Sequence, residues 1–216
     1  MNVFDFFVTN RAEVVRLTLE HLGLVAASTS IAVAIGLPAG IALTRMPRLR
    51  GPILGTANVL QTIPSLALFG FLIPLPFIGG IGARTAIVAL VVYALLPTVR
   101  TPCIGITEVD ATVRDVATGL GMTSWQRLTL VELPLAIPVM LAGVRVATVI
   151  GVGVATIAAA IGAGGLGVFI FRGVAMVDHA VILAGAIPAA AMALALDGSL
   201  HLVERRLDWR RRGTRA

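Results

Sequence analysis

The sequence of 216 residues has no lysine, a single cysteine, few aromatic residues and few charges. Charged residues make up 13% of it and aromatic residues 5%, whereas 57% of the residues are hydrophobic. Soluble domains carry about 25% charged residues, so this composition excludes a soluble enzyme and a disordered chain. The single cysteine, Cys103, excludes an internal disulfide and a zinc site built from cysteines. Because lysine is absent, the phosphate-binding loop G-x-x-x-x-G-K-S/T is absent too.

Five long apolar stretches predict an all-α membrane protein with about five transmembrane helices, since one span needs roughly 20 apolar residues. One extended polar stretch, residues 100–132, separates the third span from the fourth. The Gly-rich segment Ile161–Met176 is too short and interrupted for a sixth span, and we expect a re-entrant or external helix there. The chain is expected to be one transmembrane domain, residues 1–216, with a basic tail at 203–216. The predicted spans are residues 18–44, 53–75, 83–99, 135–160 and 180–202.

All 17 basic residues are arginine, and their distribution predicts an orientation, because cytoplasmic loops of membrane proteins are enriched in basic residues. Twelve arginines lie in the loop between spans 1 and 2, in the polar stretch between spans 3 and 4, and in the C-terminal tail. With five spans, these three regions lie on one side of the membrane, and the opposite side has four arginines. We expect the N-terminus outside and the C-terminus in the cytoplasm. The net charge of +6 then reflects this orientation, so we expect membrane lipid, and no nucleic acid, as a partner. The twelve are Arg45, Arg48, Arg50, Arg100, Arg114, Arg127, Arg205, Arg206, Arg210, Arg211, Arg212 and Arg215, and the four are Arg11, Arg16, Arg84 and Arg172.

Polar residues inside the apolar stretches are candidates for function. Arg145 lies about ten residues into the fourth span, where a charge is costly. It extends to the cytoplasmic surface, faces a cavity, or pairs with Asp197, which lies at a comparable depth in the fifth span. In the second span, polar residues surround a proline and either line a translocation path or make hydrogen bonds between helices. This group consists of Gln61, Thr62, Pro64 and Ser65.

The glycines at 162–167 and the three histidines are candidates for a nucleotide-binding site and a metal site, respectively. The glycines at 162–167 superficially resemble a dinucleotide fingerprint, but no soluble strand precedes them and no acidic partner follows. We interpret them as a flexible external turn near a gate. The three histidines are far apart in the sequence, so we expect no metal site. The glycines are Gly162, Gly164, Gly165 and Gly167, and the histidines are His21, His179 and His201.

The polar stretch contains an amphipathic loop, residues 110–134, that is long for so compact a chain. Its glycines, Gly119 and Gly121, predict a short helix, a turn and a second short helix. Helices that lie on a membrane surface favour a strongly basic polar face. This loop carries acidic as well as basic residues, so we expect it to dock a soluble partner instead.

The same loop resembles the EAA loop of ABC-importer permeases. That pattern is Glu-Ala-Ala, three residues, Gly, nine residues, and then Ile-x-Leu-Pro. Asp115, Val116 and Ala117 stand for Glu-Ala-Ala, Gly121 follows at the matching position, and the three departures from the pattern are conservative. The remaining match consists of Val131, Leu133 and Pro134. Further segments are similar to osmoprotectant permeases, namely Gln61–Leu75, Tyr93–Ile106, Gly121–Arg145, Ile161–Phe171 and Ile182–Ala189.

This resemblance implies the type I ABC importer permease fold in a bacterial inner membrane. It implies three kinds of partner: a second permease copy or homologue, two ATPase subunits and an external substrate-binding protein. ATP and magnesium would bind to the ATPase, so this chain would hold no cofactor and would not be an enzyme. The implied substrate is glycine betaine, choline, carnitine or proline. Methionine or another small solute is the alternative, and a non-ABC membrane scaffold or enzyme a distant one.

The resemblance also implies roles for residues of the loop. The ATPase would grip the loop, and Asp115 would offer its charge to a basic residue there. Gly121 would allow the close turn between the two short helices. Leu133 and Pro134 would end the second short helix and start the fourth span.

Overall fold

The computed structural model describes residues 3–207, and in this part of the chain all regular structure is helical. A π-helical turn (Leu128–Glu132) joins α7 to α8, and a 3-10 turn (Ala159–Ile161) follows α8. The predicted all-α architecture is confirmed. The α-helices are α1 (Val3–Thr9), α2 (Arg11–Leu43), α3 (Pro47–Thr62), α4 (Ser65–Leu72), α5 (Ala83–Thr107), α6 (Ala111–Gly119), α7 (Ser124–Arg127), α8 (Leu133–Ala158), α9 (Gly167–Met176) and α10 (His179–Leu207).

Among the described residues, four helices are long and apolar enough to cross a membrane. They are α2, α5, the continuous helix Ser124–Ile161 and α10. The pair α3 and α4 makes a fifth span if the two are counted together, although they meet at 101°. About five spans are therefore confirmed.

The second predicted span, residues 53–75, consists of two helices, α3 and α4, that are separated by a break at Pro64. The chain breaks at Ile63 and Pro64, which have extended ψ values of 124° and 136°. The residue before a proline disfavours the helical region, because the proline ring clashes with its backbone. Helix α3 therefore ends just before this pair, and α4 leaves in a new direction.

The other spans are longer than predicted, because polar residues extend the helices beyond the apolar core. Helix α5 continues past residue 99 through Arg100 to Thr107, so the start of the polar stretch is helical. The hydroxyls of Thr101 and Thr107 donate to carbonyl oxygens one turn back, which satisfies them inside the helix. Helix α10 likewise takes in residues 203–207 of the predicted tail, and the rest of that tail lies outside the described residues.

Helix α5 is the centre of the bundle, and small residues let α2 and α8 approach it closely. A Cβ atom at Gly36 would lie 2.2 Å from the Thr98 hydroxyl, and one at Gly40 would lie 2.3 Å from the Val99 carbonyl oxygen. On the other side, a Cβ at Gly143 would lie 2.1 Å from the Thr101 hydroxyl. These contacts fix the three helices at one level.

Two ends of the bundle can be told apart by their ion pairs. At the loop end, where α2 finishes and α6 and α7 lie, Arg45 pairs with Glu132. At the far end, where α2 begins and α9 lies, Arg172 pairs with Glu13 at 2.9 Å. Arg45 of one predicted arginine group and Arg172 of the other thus lie at opposite ends of the fold, whereas Arg210, Arg211, Arg212 and Arg215 lie outside the described residues.

Candidate functional site

The loop at residues 110–134 folds as a helix, a glycine turn and a second helix. The Asp110 side chain caps α6 by accepting from the Thr112 backbone N–H at 2.8 Å. Gly121 has φ of +76°, a conformation that favours glycine, and it turns the chain directly after α6. Thr123 and Gln126 then form a capping box at the start of α7. Local sequence signals are sufficient to specify this shape.

The loop presents an exposed apolar face, and part of it, at Trp125, lines a groove with Ile41 and Ala42 of α2. Val116 is 58% exposed, Leu120 is 73% exposed and Trp125 is 71% exposed. Asp115 is exposed as well, whereas Ala117 is buried. Exposed apolar patches rimmed by polar residues mark interaction sites, so this face has the character of a docking surface.

Glu132 fixes the loop to the bundle, a role that sequence reasoning missed. Its side chain is buried and accepts hydrogen bonds from Arg45, at the end of α2, and from Arg127 at 3.1 Å. Arg127 also donates to the Thr118 hydroxyl at 3.0 Å, which joins both parts of the loop. A carboxylate within the apolar run LTLVELPL was the available signal, because a buried acid requires partners.

The second short helix does not end at Leu133 and Pro134, which corrects the prediction. Helix α7 passes through the π-helical turn into α8 as one helix, Ser124–Ile161. Proline lacks an N–H and its ring crowds the carbonyl one turn back. The wider π-turn just before Pro134 accommodates both effects without a break. Val131 lies within this turn and is half-buried. A shift of the loop would therefore be transmitted directly to the fourth span.

The helix break in the second span is anchored to α5. The Gln61 side-chain amide donates to the Tyr93 carbonyl oxygen at 2.7 Å, and the Tyr93 hydroxyl donates to the Ile63 carbonyl oxygen. Thr62 bonds to its own helix and is exposed, as is Pro64, while Ser65 is half-buried. Of the four residues predicted to line a path, Gln61 makes the hydrogen bond between helices and also lines a cavity.

This cavity lies between α3, α5 and α8 and has a volume of about 400 Å³. Its polar lining comes from Gln61, Arg100 and Thr101. The rest of the wall is mainly aliphatic. The volume falls within the roughly 300–1,000 Å³ that is usual for small-molecule sites.

Arg145 and Asp197, the predicted ion pair, are brought together by the packing of α8 against α10. The Arg145 Nε donates to Asp197 Oδ1 at 2.9 Å, and its Nη1 donates to Glu204 at 2.8 Å. The His201 ring nitrogen lies 3.0 Å from the same guanidinium. Sequence reasoning missed Glu204 and His201, although the spacing 197, 201, 204 places all three on one helix face.

The glycines at 162–167 form a tight turn that is anchored to α2. Gly162, Gly164 and Gly165 have positive φ, whereas Gly167 is the first residue of α9. The Gly165 N–H donates to Glu20 at 3.2 Å, and the Leu166 N–H donates to His21 at 3.3 Å. The turn is packed rather than free in this structure, and a role in gating stays a prediction. Over residues 3–207 no cluster of three or more acidic, histidine or cysteine side chains could hold a metal ion.

Comparison with known proteins places the chain among transport proteins. A family model described as "Binding-protein-dependent transport system inner membrane component" matches residues 32–209. The osmoprotectant import permease protein OsmW of Salmonella typhimurium is 42% identical over 206 residues, which cover 94% of this chain and 96% of that protein. The glycine betaine/carnitine/choline transport system permease protein OpuCB of Bacillus subtilis is 40% identical over 205 residues, covering 95% of this chain and 93% of that protein.

Solved structures give the same result for the fold. A chain of the MetNI methionine ABC transporter in an inward-facing conformation matches with a TM-score of 0.81 and 22% identity, over 92% of this chain and 98% of that chain. A chain of an amino acid ABC transporter with histidines matches with a TM-score of 0.78 and 24% identity. The match covers 94% of this chain and 98% of that chain. The predicted importer-permease fold is confirmed.

Proposed function

Because the chain belongs to the family of binding-protein-dependent transport system inner membrane components, we propose that it is the permease subunit of an ATP-driven osmoprotectant importer. The chain forms the translocation path, and a separate ATPase binds and hydrolyses ATP with magnesium. Two permease subunits, either identical or homologous, assemble with two ATPase subunits. A binding protein delivers the solute from outside.

The observation that carries this proposal is the exposed apolar face of the 110–134 loop. It lies at the loop end of the bundle, and its helix continues without interruption into the fourth span. An ATPase that grips Val116 and Leu120 and pairs with Asp115 would thus move a transmembrane helix directly. The Arg45–Glu132–Arg127 contacts would carry the same movement to the end of α2.

The loop end is proposed to face the cytoplasm, with the N-terminus outside. The arginines at this end lie just after α2, in both loop helices and in the last turn of α10, as expected from the enrichment of cytoplasmic loops in basic residues. They are Arg45, Arg114, Arg127, Arg205 and Arg206. An ATPase that uses cellular ATP can reach the loop only from that side.

The proposed substrate is a small osmoprotectant such as glycine betaine, carnitine, choline or proline. Relatives named for glycine betaine, carnitine and choline are about 40% identical along almost the whole chain. Methionine is the weaker alternative, since the methionine transporter resembles this chain in fold at 22% identity. Uptake of labelled glycine betaine, choline and methionine by the complete transporter separates the two.

Val116→Asp tests the docking surface. It places a charge in the middle of the apolar face, so we expect it to abolish copurification with the ATPase and ATP-dependent uptake. The permease itself should still fold, because Val116 is exposed and packs on nothing essential. Gly121→Asp should act in the same direction, but through strain at positive φ.

Ala111→Asp is the matched control for this test. It adds the same charge to the same helix, about 140° around the helix from Val116 at 3.6 residues per turn. A negative charge in the first turn is favourable there. If Val116→Asp retained the ATPase and uptake at the level of Ala111→Asp, the loop would not be the ATPase contact.

A further inference from the structure

Arg100 is a charged residue of the bundle that the coupling loop does not use. It lies in α5, seven residues before the helix ends, which is about 10 Å at 1.5 Å per residue. Within residues 3–207, its guanidinium has no carboxylate at ion-pair distance and no hydrogen-bond acceptor. A cation in a membrane-spanning helix usually faces the interior or a water-filled cavity and has a partner. Arg100 is exposed, so its guanidinium is accessible to an anion from outside this chain.

The surroundings of Arg100 resemble a passage for a small molecule with one anionic end. Arg100 lines the cavity of about 400 Å³ together with the Gln61 amide, which its bond to Tyr93 holds in place. The opposite wall, from α8, is apolar at Val139, Ala142 and Val146. One side of the cavity thus offers a cation and hydrogen-bonding groups, and the other offers hydrocarbon.

The lining also indicates which end of a solute it recognises. A quaternary ammonium group is bound best by aromatic rings, and no described side chain that lines this cavity is aromatic. A carboxylate, in contrast, is bound well by a guanidinium, which donates two parallel hydrogen bonds. The cavity is therefore suited to the carboxylate end of a zwitterion and only tolerates the methylated end.

We propose that Arg100 pairs with the carboxylate of a zwitterionic solute as the solute crosses this cavity. The proposal rests on the proposed function and refines its substrate class. Glycine betaine and carnitine have a carboxylate, whereas choline carries a hydroxyl in its place. The three share the quaternary ammonium group, so Arg100 distinguishes the first two from the third. A lipid phosphate offers similar anionic oxygens, and the test must separate the two sources.

The test compares glycine betaine with choline in the complete transporter, reconstituted in liposomes with its own ATPase and binding protein. Arg100→Gln removes the charge, and Arg100→Lys keeps it. Each uptake rate is divided by that of the parent for the same solute, so the preference of the binding protein cancels. Arg84→Gln is the matched control, because it removes the same charge from the first turn of α5, outside the cavity. ATP hydrolysis is measured in the same samples.

We expect Arg100→Gln to lower glycine betaine uptake by about tenfold, the value of one charge-assisted hydrogen bond, and choline uptake by less than about twofold. Arg100→Lys should retain most of the uptake, and ATP hydrolysis stimulated by the loaded binding protein should stay at the parent level in both variants. If the parent transports only carboxylated solutes, the supporting result has two parts. Arg100→Gln loses glycine betaine uptake but keeps ATP hydrolysis, and Arg100→Lys retains the uptake.

Three results with Arg100→Gln would overturn the proposal. The first is an equal loss of glycine betaine and choline uptake, which a lipid-binding or structural role predicts. The second is no loss of uptake for either solute, and the third is a fall in ATP hydrolysis that parallels the fall in uptake. A parent complex that binds its ATPase and takes up neither solute would reject the proposed substrate class itself. Arg84→Gln should match the parent in every measurement.

Discussion

Arg100 and Arg145 lie at nearly the same depth in the bundle, but their charges are balanced in opposite ways. The contact between Gly143 and Thr101 sets this common level, and each arginine is one or two residues from it. Arg145 is held by Asp197 and Glu204 from α10. Arg100 faces a cavity and has no anionic partner among residues 3–207.

This difference indicates that the charge of Arg145 has a structural role, whereas the charge of Arg100 is available to bind an anion. Arg145 is neutralised by partners of the same chain in this structure, so it holds α8 and α10 together. An arginine without partners keeps its attraction for an anion that arrives from outside. Depth alone would not separate the two residues. They differ in their neighbours and in exposure, since Arg100 is exposed and the Arg145 side chain is 25% exposed.

Gly143→Val should have the largest effect, because it removes the contact that places both arginines at one level. A Cβ at this position would lie 2.1 Å from the Thr101 hydroxyl, so α5 and α8 must move apart. We expect a loss of about 3 kcal/mol in the free energy of unfolding in detergent, at the upper end of overpacking effects. Gly153→Val is the control, since it lies on the same helix with nothing within 4 Å of its added Cβ. Equal losses in the two variants would show that the α5–α8 contact does not set the level.

Arg145→Gln should have an intermediate effect, because it leaves Asp197 and Glu204 without their cation. We expect the thermal midpoint to fall by less than with Gly143→Val but clearly below the parent. In a double-mutant cycle, Arg145→Gln with Asp197→Asn should lose less stability than the sum of the single variants. Additive losses would mean that the pair contributes nothing to holding α10 on α8.

The pairing of Arg145 with Asp197 could be predicted from the sequence, as could the shape of the loop. A charge inside an apolar stretch requires a partner, and span lengths alone place Asp197 at a comparable depth. In the loop, Asp110, Thr123 and Gly121 act on backbone groups a few residues away, so local sequence specifies their geometry. These features depend on short distances along the chain or on helix length.

Other features depend on tertiary contacts, which a single sequence does not encode visibly. Glu132 is paired with Arg45, which lies 87 residues earlier in the turn after α2, and no local pattern links the two. The hydropathy of residues 53–75 is continuous across Pro64, so the 101° bend is invisible in composition although the proline itself is not. Arg100 was grouped with the loop arginines, because sequence shows where apolarity ends but not where a helix does.

Arg100→Leu should have the smallest effect on stability, and it tests the comparison most directly. No ion pair with residues 3–207 is lost, so we expect the free energy of unfolding in detergent to stay within about 0.5 kcal/mol of the parent, as for substitutions away from packed contacts. Arg145→Leu, measured in parallel, should destabilise, since the two changes are chemically identical and lie at the same level. If Arg100→Leu destabilised the protein as much as Arg145→Leu, Arg100 would have a structural partner, and its charge would not be available to a passing solute.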